Sequence, residues 1–161
     1  NRKEEGLFLR SSVRTNTVMV AMEKILRFKL FLDFNKERSV AEEYVHMLKT
    51  ATPSVNQPVM FLSGGNQQKV VLAKWLFSDS RIVILDEPTR GIDVGAKREI
   101  YEIINKLAAD GKVIIVVSSE MEEIMGISDR IVVMHEGRIA GEVDREHFSQ
   151  SLITEYAVGG A

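Results

Sequence analysis

"RIVILDEP", residues 81–88, is a short unbroken apolar run that ends in two acids and a proline. Four consecutive aliphatic positions, Ile82 to Leu85, before an Asp-Glu pair suit a strand buried on both faces, as in a parallel sheet flanked by helices. The residues that follow keep to this reading. Asp93 stands where it can cap a helix, and Ile100, Ile103, Ile104 and Leu107 repeat at i, i+3, i+4 and i+7. Gly111 then offers the left-handed residue that closes such a helix. A second apolar run, "KVIIVV" at 112–117, follows at once. Strand, helix and strand within about thirty residues predict a βαβ unit, and hence an α/β domain with a parallel sheet. Beyond it, a short helix is expected over Met121–Met125. "RIVVMHEGRIAGE" (130–142) reads as a hairpin turning at Glu136-Gly137. Asp144 is expected to cap a last helix carrying Phe148, Leu152 and Tyr156.

Upstream the rhythm is helical. "FLSGGNQQKV" (61–70) is a Ser-Gly-Gly turn running into a helix predicted over 64–77, with Val71, Leu72, Trp75 and Leu76 on its buried side. Ser39 and Glu42 have the spacing of a capping box, and Val40, Tyr44, Met47 and Leu48 fall on one face behind them. Residues 17–34 are densely apolar without clean periodicity and are read as helix. "ILRFKLFL" (25–32) is read as the inner face of this helical part, with some of it left open as a contact patch. Residues 17–78 therefore form a mostly helical section and 79–161 the α/β section of one domain.

Composition narrows the function. The net charge is −2 with no basic stripe, which argues against nucleic acid and anionic lipid as partners. Without cysteine there is neither a disulfide nor a thiolate metal site. The longest aliphatic run is too short to cross a bilayer. His46, His135 and His147 lack ligand spacing and are read as surface or packing residues. No signal peptide is expected in these residues, and the opening "NRKEEGLFLRSSV" shows no helix start of its own, so the chain is read as a piece of something longer.

Two stretches carry chemistry. Ligands of a parallel α/β sheet bind beyond the carboxyl ends of its strands, where Asp86 and Glu87 lie. One carboxylate there can hold Mg²⁺, which takes few protein oxygens and keeps much of its water. The next can orient or deprotonate an attacking water. The Ser63-Gly64-Gly65 turn opens a helix whose first N–H groups lack partners, and its glycines let the backbone approach an anion. Taken singly, each stretch is more simply a polar turn or an N-cap; together they favour a phosphate site.

"LSGGNQQKVVLAKWL", "IVILDEPTRGIDVGAKREIY" and "VIIVVSSEMEEIMGISDRIVVMHEGRIAGE" resemble the signature motif, Walker B strand, D-loop and switch region of ABC-type ATPases. The nearest likeness is to the second nucleotide-binding half of the tandem ATPases that power bacterial import of ribose, xylose, galactose and related sugars. The resemblance implies an incomplete P-loop NTPase domain: a parallel sheet plus a helical signature subdomain, with 1–161 as its C-terminal part. It implies ATP and Mg²⁺ as cofactors and assigns Asp86 to the metal, Glu87 to the hydrolytic water and Asp93 to the D-loop. Ser63, Gly64 and Gly65 would cradle the γ-phosphate, with Asn66 and Gln67 close by. That phosphate would belong to an ATP held by an opposing nucleotide-binding domain. The further partners implied are a membrane permease and, indirectly, a periplasmic or extracellular sugar-binding protein, with the chain peripheral on the cytoplasmic face of the membrane.

Two positions depart from the superfamily pattern. Asn66 stands where Gln is usual, and Ser119 stands at the switch position usually held by His, which weakens the expectation of hydrolysis at this half's own site. The pattern G-x-x-x-x-G-K-[ST] does not occur, so the P-loop strand is expected to be missing and the chain inactive alone. A gap is expected between strands 113–117 and 131–134, making the isolated chain unstable or prone to oligomerise unless the missing part lies nearby. Two other functions stay open: a non-catalytic scaffold that completes a partner's site, and a soluble ABC ATPase outside transport.

Overall fold

The computed structural model describes residues 6–160. They form two compact units. One comprises the described residues through Ile84 together with Pro88–Ile115; the other comprises Leu85–Glu87 and the residues from Val116 on.

The first unit begins with helix α1 (Val13–Val18), capped by the Ser12 hydroxyl, which accepts from the Thr15 N–H. Asn16 is fully buried and organises the segment before it. Its Oδ1 accepts from the Phe8 N–H, and its Nδ2 donates to the carbonyls of Phe8 and Ser12 at 3.0 Å. After α1 the chain departs from the expected helix over 17–34. A 3₁₀ segment (Met19–Ile25) leads into a two-stranded antiparallel hairpin, β1 (Leu26–Arg27) and β2 (Phe31–Leu32). The density of apolar side chains in this stretch reflects exposure rather than burial. Ile25 is buried, but Phe28 is 94% exposed, and Leu30, Phe31 and Phe34 also face outward. The inner-face reading of 25–32 is therefore corrected to a surface hairpin.

Helix α2 spans Phe34–Met47, and its cap is Asp33 rather than Ser39. One Asp33 oxygen accepts the N–H groups of Asn35 and Lys36 at 3.1 Å. Ser39 and Glu42 both lie inside the helix, because Asp33 satisfies the free donors one and a half turns earlier. Helix α3 (Gly64–Phe77) has the expected bounds. Its buried side includes Val70, Leu72, Ala73 and Leu76, whereas Trp75, expected inside, is 49% exposed with the Lys74 ammonium 5.1 Å from its ring. The core lies where Leu7, Val13, Val59 and Val70 meet, and where Val18, Ala21 and Ile25 pack on Phe77.

Strand β3 (Ile82–Asp86), helix α4 (Val94–Ala109) and strand β4 (Val113–Val117) give the expected strand, helix and strand. β3 and β4 pair side by side. Val113 N–H donates to the Arg81 carbonyl at one end and Glu87 N–H to the Val117 carbonyl at the other, so the two strands run parallel. Gly111 closes α4 with φ +87°. Burial differs from the expectation of two covered faces. Val83 and Leu85 are buried while Ile82 and Ile84 are exposed, and Val113, Ile115 and Val117 are exposed on β4.

The second unit is built on an antiparallel hairpin, β5 (Arg130–His135) and β6 (Arg138–Asp144), with α5 (Met121–Ile127) and α6 (Gln150–Ala157). Its turn is Glu136-Gly137, both at positive φ as a two-residue hairpin turn requires. Ile131, Val133, Val143 and Ile153 form the core, joined by Ile124, Leu152 and Tyr156. Asp144 precedes only a 3₁₀ turn and makes no side-chain cap; α6 starts after Ser149. His135 ties the hairpin to α6 by pairing its Nδ1 with the Ala157 carbonyl at 2.8 Å. Among the described residues β4 pairs with β3 alone and β5 with β6 alone.

Candidate functional site

The residues singled out from sequence fall into two groups, one in each unit. In the second unit, the carboxyl end of β3 brings Asp86 and Glu87 to the surface. Glu87 has φ +46°, a left-handed conformation uncommon for a side chain of this size. Its N–H is fixed on the Val117 carbonyl at 2.8 Å, and its Oε1 accepts the Ser119 N–H at 3.0 Å. Strain of this kind persists where surrounding contacts impose it, and it concentrates at functional positions. The carboxylate is thus aimed by two bonds to β4 and the turn after it. Ser119 makes this contact through its backbone, so the side chain that differs from the usual histidine is not what holds Glu87. Asp86 is exposed at the strand end. Among the described residues no three His, Cys, Asp or Glu side chains gather, so a cation here would rest on one or two carboxylates plus its own water. That donor set fits Mg²⁺.

In the first unit, Ser63 caps α3 from an extended conformation at φ −61° and ψ 160°. Its Oγ accepts from Asn66 twice, from Nδ2 at 2.9 Å and from the backbone N–H at 3.4 Å. With both acceptor positions used, the hydroxyl proton is left to donate outward, the polarity an anion needs. Asn66 is in turn held by the Ala51 N–H, which donates to its Oδ1 at 2.8 Å. A shorter amide than glutamine suits this bridge between the turn and the loop at 51. Gln67 turns the other way. It is buried, and its Nε2 donates to the carbonyls of Val59 and Leu62, steadying the segment that leads into the turn.

Gly65 is buried against α4. A Cβ placed on it would lie 2.5 Å from the Ala96 Cβ, so only glycine allows the two helices to touch here. Asp93 caps α4 by accepting the Ala96 N–H at 2.9 Å. The signature-like turn and the Asp93 turn are consequently neighbours within one unit, which their thirty-residue separation did not reveal.

Lys69 escaped the sequence reading altogether. It lies on the buried side of α3, three and four residues before Leu72 and Ala73, with its ammonium on the Lys49 carbonyl at 2.7 Å and on Glu99 Oε2 at 2.8 Å. A lysine at helical spacing with apolar core residues was the available signal.

Comparison with known proteins agrees with the geometry. The ABC transporter family profile matches residues 1–90. The chain is 51% identical over 159 residues to an arabinose import ATP-binding protein of Burkholderia thailandensis, covering 98% of this chain and 32% of that protein. It is 48% identical to a ribose import ATP-binding protein of Geobacillus kaustophilus, with 99% and 32% covered. It is 51% identical to a putative ribose/galactose/methyl galactoside import ATP-binding protein of Halalkalibacterium halodurans, with 100% and 31% covered. The chain thus spans about a third of the length of these relatives. Among solved structures, a dimeric bacterial ABC transporter cassette, MJ0796, superposes with a TM-score of 0.72 at 23% identity, over 88% of this chain and 60% of that one. A putative metal-chelate type ABC transporter in an inward-facing conformation superposes at 0.78 and 15% identity, over 94% and 59%. The fold is that of an ABC ATPase domain, of which these residues form a part, and the chain belongs to the ABC transporter family.

Proposed function

We propose that the chain is part of the ATP-hydrolysing subunit of an ABC transporter that imports a monosaccharide. In this reading it forms the C-terminal part of a nucleotide-binding domain. Residues 17–78 serve as the helical signature subdomain, and 79–161 as the section carrying Walker B, D-loop and switch. The observation that carries the reading is Glu87, at positive φ and hydrogen-bonded through Oε1 to the Ser119 N–H beyond the strand ends. A carboxylate aimed in this way is suited to orient water against a phosphoryl group.

Ser63, Gly64 and Gly65 clasp the γ-phosphate of an ATP held by an opposing domain, with the Ser63 proton directed by Asn66. Asp86 would hold Mg²⁺, directly or through water, and the ion would supply positive charge to offset that developing on the phosphoryl group. Asp93 lies in the D-loop. The partners are the opposing domain, a membrane permease and a sugar-binding protein outside the membrane, with this chain peripheral on the cytoplasmic face. The import names of relatives about half identical to the chain support a sugar as cargo. The 161 residues hydrolyse no ATP by themselves, since the lysine loop that grips β- and γ-phosphates does not occur in them.

Ser119 favours a second reading, a half that only completes its partner's site. Steady-state ATP turnover of the full-length protein carrying this chain, assembled with its permease, separates the two. Glu87→Gln is expected to lower turnover about 100-fold or more, the range for removal of a general base. Turnover unchanged by Glu87→Gln but abolished by Ser63→Arg selects the scaffold. Turnover insensitive to both excludes an ATP site built on these residues.

A further inference from the structure

We propose that Lys69 is a positioning residue that locks the Ser63 turn and the Asp93 turn into one rigid element, so that the two present themselves to an opposing domain together. The proposal rests on the reading of Ser63 and Asp93 given above.

The geometry is a two-point clamp. Lys69 follows the α3 cap, Ser63, by six residues, and Glu99 follows the α4 cap, Asp93, by six residues. The two helices therefore meet at matching heights. Gly65 against Ala96 is one contact point, and the Lys69–Glu99 ion pair at 2.8 Å, about one helical turn further along, is the other. A single contact leaves two helices free to rotate about it. Two contacts a turn apart fix both their separation and their rotation, and with them the offset between Ser63 and Asp93.

Lys69 also reaches a third element. Its ammonium donates to the carbonyl of Lys49, which sits at φ +50° in the turn that ends α2. Two residues on, the Ala51 N–H donates to Asn66, the residue that directs the Ser63 hydroxyl. The turn after α2 is thus fastened to α3 at two levels, and one buried cation joins it to α4 as well.

Stability alone does not account for a lysine at this place. Its side chain is 3% exposed, and withdrawing an ammonium from water costs several kcal/mol that pairing only partly returns, so an apolar residue of similar volume often serves a fold as well or better. What an ion pair adds over such a residue is direction. Glu99 is more than half exposed, so it can be altered without opening the core.

The test uses the full-length protein carrying this chain, with Lys69→Met, Glu99→Gln and the double variant. Lys69→Met retains the apolar stem and removes the charge. Amide hydrogen exchange without nucleotide is expected to quicken about fivefold or more over both 63–70 and 93–100 in either single variant. ATP turnover is expected to fall about tenfold in kcat with KM within twofold, because a misplaced turn harms the closed, reacting state more than initial binding. The double variant is expected to be no worse than Lys69→Met, as befits two ends of one contact.

The proposal is overturned if exchange quickens over 63–70 alone, or if kcat per folded molecule stays at the unsubstituted level while only the melting temperature drops. Should Lys69→Met fail to fold, Glu99→Gln decides by the same two measurements. Failure of the underlying ATP-site reading is separable: Glu87→Gln and Ser63→Arg would then leave turnover intact, whereas failure of the clamp leaves those two variants damaging and Glu99→Gln silent.

Discussion

Two residues of the first unit, Gly65 and Asn16, each give a sharp expectation. Gly65 has no room for a methyl group, with the Ala96 Cβ 2.5 Å from where its Cβ would sit. Gly65→Ala is expected to cost about 1–3 kcal/mol, the usual range for overpacking, read as a lower urea midpoint with an unchanged slope. Asn16 spends its amide on the backbone of residues 8–12 while fully buried. Asn16→Leu leaves the Phe8 N–H and several carbonyls without their partner; unsatisfied buried groups cost about 1–3 kcal/mol each, so a total loss of about 3 kcal/mol or more is expected in the same melts. Sequence pointed to Gly65 through its neighbours Ser63 and Gly64, but Asn16 left no trace, because a buried asparagine in a short helix reads like any polar residue. Glu87 was legible as a chemical group and not as a conformation: nothing in "LDEP" announces a positive φ.

At the scale of elements, legibility followed periodicity and capping. Helices α3 and α4 carry a serine or aspartate cap and regular apolar spacing, and their bounds came out as read. Helix α2 offered two rival starts. Ser39 with Glu42 fits the capping-box pattern, yet Asp33 takes the cap because its carboxylate accepts two backbone N–H groups and pairs with Arg27 at 3.0 Å. The hairpin before it was hidden for another reason. Its tip residues Phe28 and Lys29 both have positive φ, where asparagine and glycine are the usual occupants. Asp33 also gives α2 a pH response. The Lys36 backbone N–H, and then Arg27, hold its carboxyl below the ordinary aspartate range, against a smaller opposing effect of burial. Its folded value is thus lower than its unfolded one, near 3.9. The cap's contribution is present above that value and fades as pH falls through the lower, folded one. Hydrogen exchange over 33–38 is expected to quicken below about pH 4, a step that Asp33→Asn should remove.

Over the whole molecule, sequence gave the right class of fold and a wrong degree of enclosure. Apolar runs at 81–85 and 112–117 read as strands covered on both sides, and the chain covers one. Ile82, Ile84, Val113 and Ile115 are open, and among the described residues β4 has a strand neighbour on one side only. Contiguous apolar surface and a free strand edge both favour association. The 161-residue chain by itself is expected to elute from a sizing column as more than a monomer, with Ile84→Lys plus Ile115→Lys shifting it toward the monomer. If the doubly substituted chain associates to the same extent, the strand edge rather than this face is responsible. No helix among the described residues is long and apolar enough to cross a membrane.

The single tryptophan turns α3 into a natural optical gauge. Trp75 is half exposed, stands next to the Lys74 ammonium and shares its helix with the serine turn. Its emission colour and quenching by iodide therefore follow the environment of that helix without a dye, and with no cysteine in the chain a thiol probe can be introduced anywhere else as an energy-transfer acceptor.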